Sequence, residues 1–252
     1  MAELALLALA GAAGLVGGAM NALAGGGTFA TLPALLAVGL PANIANATSN
    51  VALLPGAAAS AWNLRDELGP VGGISWQRLA IINFAGGLIG SLLLVLTPTR
   101  TFDLIIPWLV LYAFLVLLFG KQASDWLAAR VHIGRGTLLT MQGLLGIYGG
   151  YFGGGVGLMM TATYGLLAGL HPRSLFAPRT LMLAVANLAA AIVFIAFAMV
   201  AWLPCLVMLV GAVIGGWAGA HYGKQLPMGA VRIWTLLVAG VTTLVFFVRA
   251  YG

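Results

Sequence analysis

Charge is what this chain has least of. Of 252 residues, 11 are Lys or Arg and 5 are Asp or Glu, 6% in all, where a soluble domain carries about 25%. So few charges cannot coat a folded chain of this length, and with 62% hydrophobic residues neither a water-soluble globule nor a disordered chain is left. An integral membrane protein is expected, with lipid as its main solvent. Cysteine is scarcer still: Cys205 stands alone, which excludes an intramolecular disulfide and a cysteine metal cage. A basic stripe is missing too. The net charge of +6 is spread as single residues between apolar runs, which points away from nucleic acid and toward membrane lipid as the anionic neighbour. His132, His171 and His221 show no metal-ligand spacing and no neighbouring nucleophile, so no metal, no cofactor and no enzyme chemistry are expected. Residues 1–24 are apolar like a signal peptide, yet they begin with Glu3 and hold no Lys or Arg, so they read as a retained first helix. Finally, Glu3, Asp66, Glu67, Asp103 and Asp125 fall at a terminus, in loops or at segment edges. No carboxylate sits in mid-membrane, which disfavours a cation carrier or a carboxylate proton relay.

What is present is a series of apolar segments: 4–23, 28–39, 44–63, 76–96, 103–120, 136–152, 156–169, 174–199, 203–221 and 229–248. Most have the length of a bilayer crossing, and the fold class is all-α and polytopic, with about 8–10 membrane segments. Two segments, 28–39 and 156–169, are short, and each follows a glycine cluster: Gly25-Gly26-Gly27 and Gly153-Gly154-Gly155-Val156-Gly157. Short apolar pieces after such breaks read as half-helices or re-entrant arms. The breaks belong to an internal repeat. Gly39-Leu40-Pro41 matches Gly169-Leu170-His171 at an offset of 130, and Gly86-Gly87-Leu88-Ile89-Gly90 matches Gly211-Ala212-Val213-Ile214-Gly215 at an offset of 125. The chain therefore divides into a first transmembrane repeat (1–121), a cytoplasmic linker (122–135) and a second repeat (136–252), each repeat being a broken hairpin followed by three helices.

Charge orients the repeats. If each broken unit crosses once, the basic residues split 6 to 4 between the two sides. If each is a hairpin returning to its starting side, Arg65, Arg78, Lys121, Arg130, Arg135, Arg173, Lys224 and Arg232 face Arg100 and Arg249, a split of 8 to 2. The positive-inside rule prefers the second count. The halves are then inverted and both termini are non-cytoplasmic.

Inverted repeats with broken helices are the plan of secondary transporters, which hold substrate between half-helix ends. A helix N-terminus offers unpaired N–H groups and a positive dipole end, and glycine lets backbone approach a ligand. The stretches around Gly26, Gly27, Thr28, Gly154 and Gly155 are thus candidate anion cradles. Each break is followed by a polar cluster in an apolar helix, Asn43-Ile44-Ala45-Asn46-Ala47-Thr48-Ser49-Asn50 and then Arg173-Ser174-Leu175-Phe176-Ala177-Pro178-Arg179-Thr180. Asn46 and Asn50, four apart, share a helix face. Either the clusters line a cavity or they cap helix starts at the surface. Arg179, just after Pro178, is the most informative residue: its guanidinium suits an oxyanion through paired donors, or it snorkels to headgroups. Asn21, Asn83 and Asn187 also interrupt apolar segments, as ligands or as interhelical hydrogen bonds.

Two ordered motifs resemble a known family. The pattern Asn21-Ala22-Leu23-Ala24-Gly25-Gly26-Gly27-Thr28, then Pro33, Gly39-Leu40-Pro41-Ala42 and Ala45-Asn46-Ala47-Thr48, looks like the first-half signature of the sulfite exporter TauE/SafE family. The run from Gly146 through Tyr148, Tyr151 and Phe152 to Gly157 looks like its second-half signature. The resemblance covers essentially the whole chain. It implies a permease of the bacterial inner membrane moving sulfite or an organosulfonate. Broken inverted repeats add alternating access as the expected mechanism, with a small anion and membrane lipid as partners and a homodimer left open. In that reading backbone N–H groups at Gly26, Gly27, Gly154 and Gly155 donate, Asn46, Ser49, Asn50 and Thr180 orient, and Arg179 neutralises charge. Asn21, Thr28 and Asn187 complete the binding set. Family members often read Ala-Asn-Ala-Leu-Lys-Asn where this chain has Leu175-Phe176-Ala177-Pro178-Arg179-Thr180. Arginine keeps the charge and Phe176 supplies an aromatic face, which implies a bulkier sulfonate. A permease for a carboxylate or thiosulfate-like anion, or a passive anion channel, are the rival readings.

Overall fold

A computed structural model describes residues 2–128, 134–168, 174–223 and 226–252. Arg130, His132, His171, Arg173 and Lys224, used above in the charge count and the histidine survey, lie outside these residues, as does the side chain of Lys121. Among the described residues the chain forms ten α-helices: α1 (Ala2–Leu23), α2 (Thr28–Ala37), α3 (Ala42–Asn63), α4 (Trp76–Leu96), α5 (Thr99–Ala128), α6 (Arg135–Tyr151), α7 (Val156–Ala168), α8 (Phe176–Ala196), α9 (Trp202–Gly223) and α10 (Met228–Tyr251). Six of them, α1, α4, α5, α8, α9 and α10, are long and apolar enough to cross a membrane, while α2 and α7 are short and apolar. The helix α3 has the length but carries the polar cluster, and it lies inside, with Asn46, Thr48 and Ser49 wholly buried. Lipid cannot satisfy such side chains, so protein surrounds them.

The helices follow the apolar segments closely. The main departure is α5, which continues past residue 120 to Ala128. Its added residues include Lys, Gln, Ala and Leu, strong helix formers that extend a helix beyond the hydrocarbon without needing apolar character.

Each glycine break stops a helix in the same way. Gly25 and Gly153 both adopt φ +77°, a left-handed conformation that costs glycine nothing. Their N–H groups reach back five residues, Gly25 to the Met20 carbonyl at 3.0 Å and Gly153 to the Tyr148 carbonyl at 3.3 Å. A left-handed glycine cap thus closes the ends of α1 and α6. Proline acts inside α2, where Pro33 lacks the N–H that would bond the Phe29 carbonyl. The hydroxyl of Thr242 on α10 donates to that carbonyl instead, at 2.9 Å.

Packing between the halves is reciprocal. The first helix of each half lies against the fourth of the other, α1 on α9 and α6 on α4, and α3 and α8 cross at the centre, each also touching the other half's fourth helix. Small residues make these contacts possible, because close backbone approach is what holds helices together in lipid. Gly211, Gly215 and Gly219 of α9 sit against Gly11, Leu15 and Ala19 of α1, so the two helices run parallel. Gly86 and Gly90 of α4 meet Gly143 and Ile147 of α6 in the same manner.

Contacts at helix ends sort those ends into two groups. At one, Arg232 Nη2 at the start of α10 donates to the Leu118 carbonyl of α5 at 2.9 Å. There too Asn63 at the end of α3, Phe176 at the start of α8 and His221 near the end of α9 share a cleft. At the other, Arg249 lies 4.0 Å from Asp103, and Trp108 Nε1 donates to the Tyr251 hydroxyl at 2.9 Å.

Candidate functional site

The two glycine breaks meet at the centre of the molecule. A Cβ on Gly25 would lie 2.6 Å from the Gly157 Cα, and one on Gly157 would lie 2.7 Å from the Gly25 Cα. Only glycine permits that approach, and in this conformation each break fills the space beside the other. Thr28 and Asn50 border the junction, within 3.9 Å and 3.3 Å of where a Gly153 Cβ would stand.

Several expected ligands hold the breaks in shape. Asn21 Oδ1 accepts the Gly27 N–H at 2.7 Å, so that donor is engaged within its own break. Gly26 packs on the Phe29 ring. The Gly154 carbonyl accepts the Tyr148 hydroxyl at 2.8 Å, and Gly155, at φ +74°, abuts Ala113 and Phe29. Ser49 and Thr31 share a hydrogen bond of 2.6 Å between α3 and α2. Thr180 turns its hydroxyl back to the Phe176 carbonyl at 2.7 Å. Asn187 is buried on α8, seven residues beyond Thr180, which places it about 10 Å farther along the axis.

Arg179 is 6% exposed. Its Nη2 donates to the carbonyls of Ala22 at 3.3 Å and Leu23 at 3.2 Å, the open C-terminal end of α1, and its Cζ lies 4.4 Å from the Phe176 ring centroid. Among the described ion pairs, Arg65 with Asp66 and Arg249 with Asp103, none includes Arg179. Burying an ion costs several kcal/mol, and charge-assisted hydrogen bonds return about 1.5–3 kcal/mol each. A buried guanidinium held by two neutral carbonyls and an aromatic face retains the capacity to bind an anion. The second break has a neutral counterpart: Asn46 Nδ2 donates to the Tyr151 carbonyl at 3.1 Å. The Oδ1 atoms of Asn46 and Asn50 are buried without a hydrogen-bond partner, which leaves two acceptors aimed from one face of α3 with nothing to receive.

Asn83 makes the interhelical bond that was one of its two readings. Its Nδ2 donates to the Met182 carbonyl at 2.7 Å, its Oδ1 accepts Gln142 Nε2 at 2.8 Å, and Gln142 Oε1 accepts the Tyr164 hydroxyl at 2.5 Å. This buried chain joins α4, α6, α7 and α8. Gln142 and Tyr164 escaped the reading of the sequence because each stands singly in an apolar run; a buried amide on α6 was the one signal available.

A family model described as "Sulfite exporter TauE/SafE" matches residues 10–246. A Haemophilus influenzae protein named "Probable membrane transporter protein" is 31% identical over 240 residues, covering 92% of each chain. The Escherichia coli K12 "Probable membrane transporter protein YfcA" is 28% identical over 241 residues, 94% of this chain and 88% of its own. A Sinorhizobium "Probable membrane transporter protein ORF9" is 29% identical over 245 residues, with 92% and 88% covered. No solved structure matches. With six helices of crossing length and relatives of this kind, the chain is a multi-pass membrane protein.

Proposed function

The chain belongs to the sulfite exporter TauE/SafE family, and from that premise we propose that this membrane transporter carries a sulfur-containing anion, an organosulfonate or sulfite, across the bacterial inner membrane by alternating access. The observation that carries the reading is Arg179: a buried cation, one turn into α8, bound by the end of the first broken helix and by no acid among the described residues. A sulfonate or sulfite oxygen set answers its paired donors. Asn46 and Asn50 supply acceptors, so the cargo brings a donor of its own, an O–H, an N–H or a bound water.

The reading extends to topology. Support for hairpins that return to their starting side, and so for inverted halves, comes from the grouping of helix ends. The ends of α3 and α9 lie together, Arg232 lies with the end of α5, and Arg249 lies beside Asp103. Counting each broken unit as one crossing would set all three pairs on opposite sides. Transport proceeds by parting the two breaks, which now touch at Gly25 and Gly157, so that an anion held beside Arg179 can pass between them. Radiolabelled counterflow in proteoliposomes, run against sulfite, sulfonates, thiosulfate and carboxylates, tests the proposal. Saturable exchange confined to sulfite and sulfonates is expected. Preference for a carboxylate replaces the cargo, and unsaturable flux without exchange replaces the carrier by a channel.

A further inference from the structure

Near the end of the bundle where α3 and α9 finish and α8 begins, a cleft of about 360 Å³ is lined by Asn63, Leu64, Phe176, Trp217, Ala220 and His221. Its walls are aromatic. Trp217 and His221, one turn apart on α9, stack with ring centroids 5.5 Å apart and planes within 9°. Trp217 is 57% exposed, and Phe176 also lines the cleft. Phe176 also has a second neighbour, for its ring stands 4.4 Å from the Arg179 guanidinium carbon. Arg179 is buried and takes no part in lining the cleft. One ring therefore touches both an open cleft and the buried cation.

We propose that this cleft is the vestibule leading to Arg179, that Phe176 is the door between them, and that its aromatic walls favour an anion with an apolar or aromatic body. The inference deepens the transport reading and rests on it for the charge of the cargo. A guanidinium that desolvates against a ring face exchanges that contact for an oxyanion when one arrives. Rotation of Phe176 about its side-chain torsions uncovers Arg179 without moving a helix, and the displaced ring can pack against the body of the anion. The exposed Trp217 ring offers a surface of the kind that aromatic groups stack on. A small inorganic anion gains nothing from either surface, so the vestibule discriminates by the organic part of the cargo and Arg179 by its charge.

Thiol labelling tests the path apart from the cargo. With Cys205→Ser removing the native thiol, Ala220→Cys at the rim is expected to react with a membrane-impermeant maleimide from the face that bears Arg65. Arg179→Cys, at a position 6% exposed in the parent, is expected to react at least tenfold faster when Phe176→Ala is added. An unreactive Ala220→Cys, or an Arg179→Cys rate indifferent to Phe176, overturns the vestibule, whatever the protein carries. Specificity is read from transport. Phe176→Ala is expected to lower the ratio of kcat/KM for benzenesulfonate over methanesulfonate about tenfold, and Phe176→Tyr to restore it; an unchanged ratio overturns the role of the ring. If no sulfonate is transported while both labelling results hold, the cargo reading fails and the vestibule stands.

Discussion

The Arg179 guanidinium donates to the Leu23 carbonyl at 3.2 Å, so a side chain of the second half closes the end of a broken helix in the first. Tyr151, at the equivalent place in the second break, receives the same service from Asn46 of the first half, at 3.1 Å. A cation serves one break and an amide the other. The halves are thus alike in architecture and unlike in charge, and among the described residues a side chain places positive charge at one end of the central junction.

Arg179→Ala is expected to remove anion binding and to lower stability by about 1–3 kcal/mol, the cost of leaving buried carbonyls unpaired. Arg179→Lys should recover part of the stability and less of the binding, since an ammonium lacks the planar pair of donors. Thermal melts with and without sulfonate separate the two effects. The anion should raise the melting temperature of the parent and leave that of Arg179→Ala unmoved; equal shifts would end the assignment of Arg179 as a ligand.

Asn50→Leu removes a buried acceptor that has no partner. Replacing an unsatisfied polar group by an apolar one of similar size is neutral or stabilising. The variant is expected to melt at or above the parent temperature while binding cargo at least tenfold more weakly. A variant with full affinity would place Asn50 outside the binding set.

Gly157→Ala is expected to cost about 1–3 kcal/mol, the range for overpacking, because its Cβ would meet the Gly25 Cα at 2.7 Å with backbone on both sides. Gly229→Ala, where nothing lies within 4 Å, is the matched control and should be close to neutral. Melting curves of the purified pair decide it. Transport by Gly157→Ala should fall as well, since the junction no longer closes.

Topology is checked with reporters. Fusions at residue 252 and at the N-terminus are both expected to be active on the non-cytoplasmic side, and a fusion in the loop before α4 on the cytoplasmic side. Termini in the cytoplasm would reverse the orientation derived from the basic residues.

The helices were legible because lipid imposes length and apolarity on each of them, and the two breaks because glycine clusters interrupt that pattern at matching places. What Arg179 touches was not legible. Its partners are the carbonyls of Ala22 and Leu23, and a backbone acceptor leaves no trace in the type of residue that carries it. The same holds for Asn21, whose amide was read as a ligand or an interhelical link and in fact accepts the Gly27 N–H of its own break. Gln142 and Tyr164 were passed over for a related reason: their bond joins residues on two helices, and sequence spacing cannot report a meeting of that kind.

The touching glycines set a counting rule for the whole molecule. Gly25 and Gly157 belong to different halves and lie backbone to backbone, so bulk added to either break displaces the other. In the transport proposed above, that contact ties both breaks to a single event, and a site at their junction would admit one cargo per opening, where two independent hairpins would admit two.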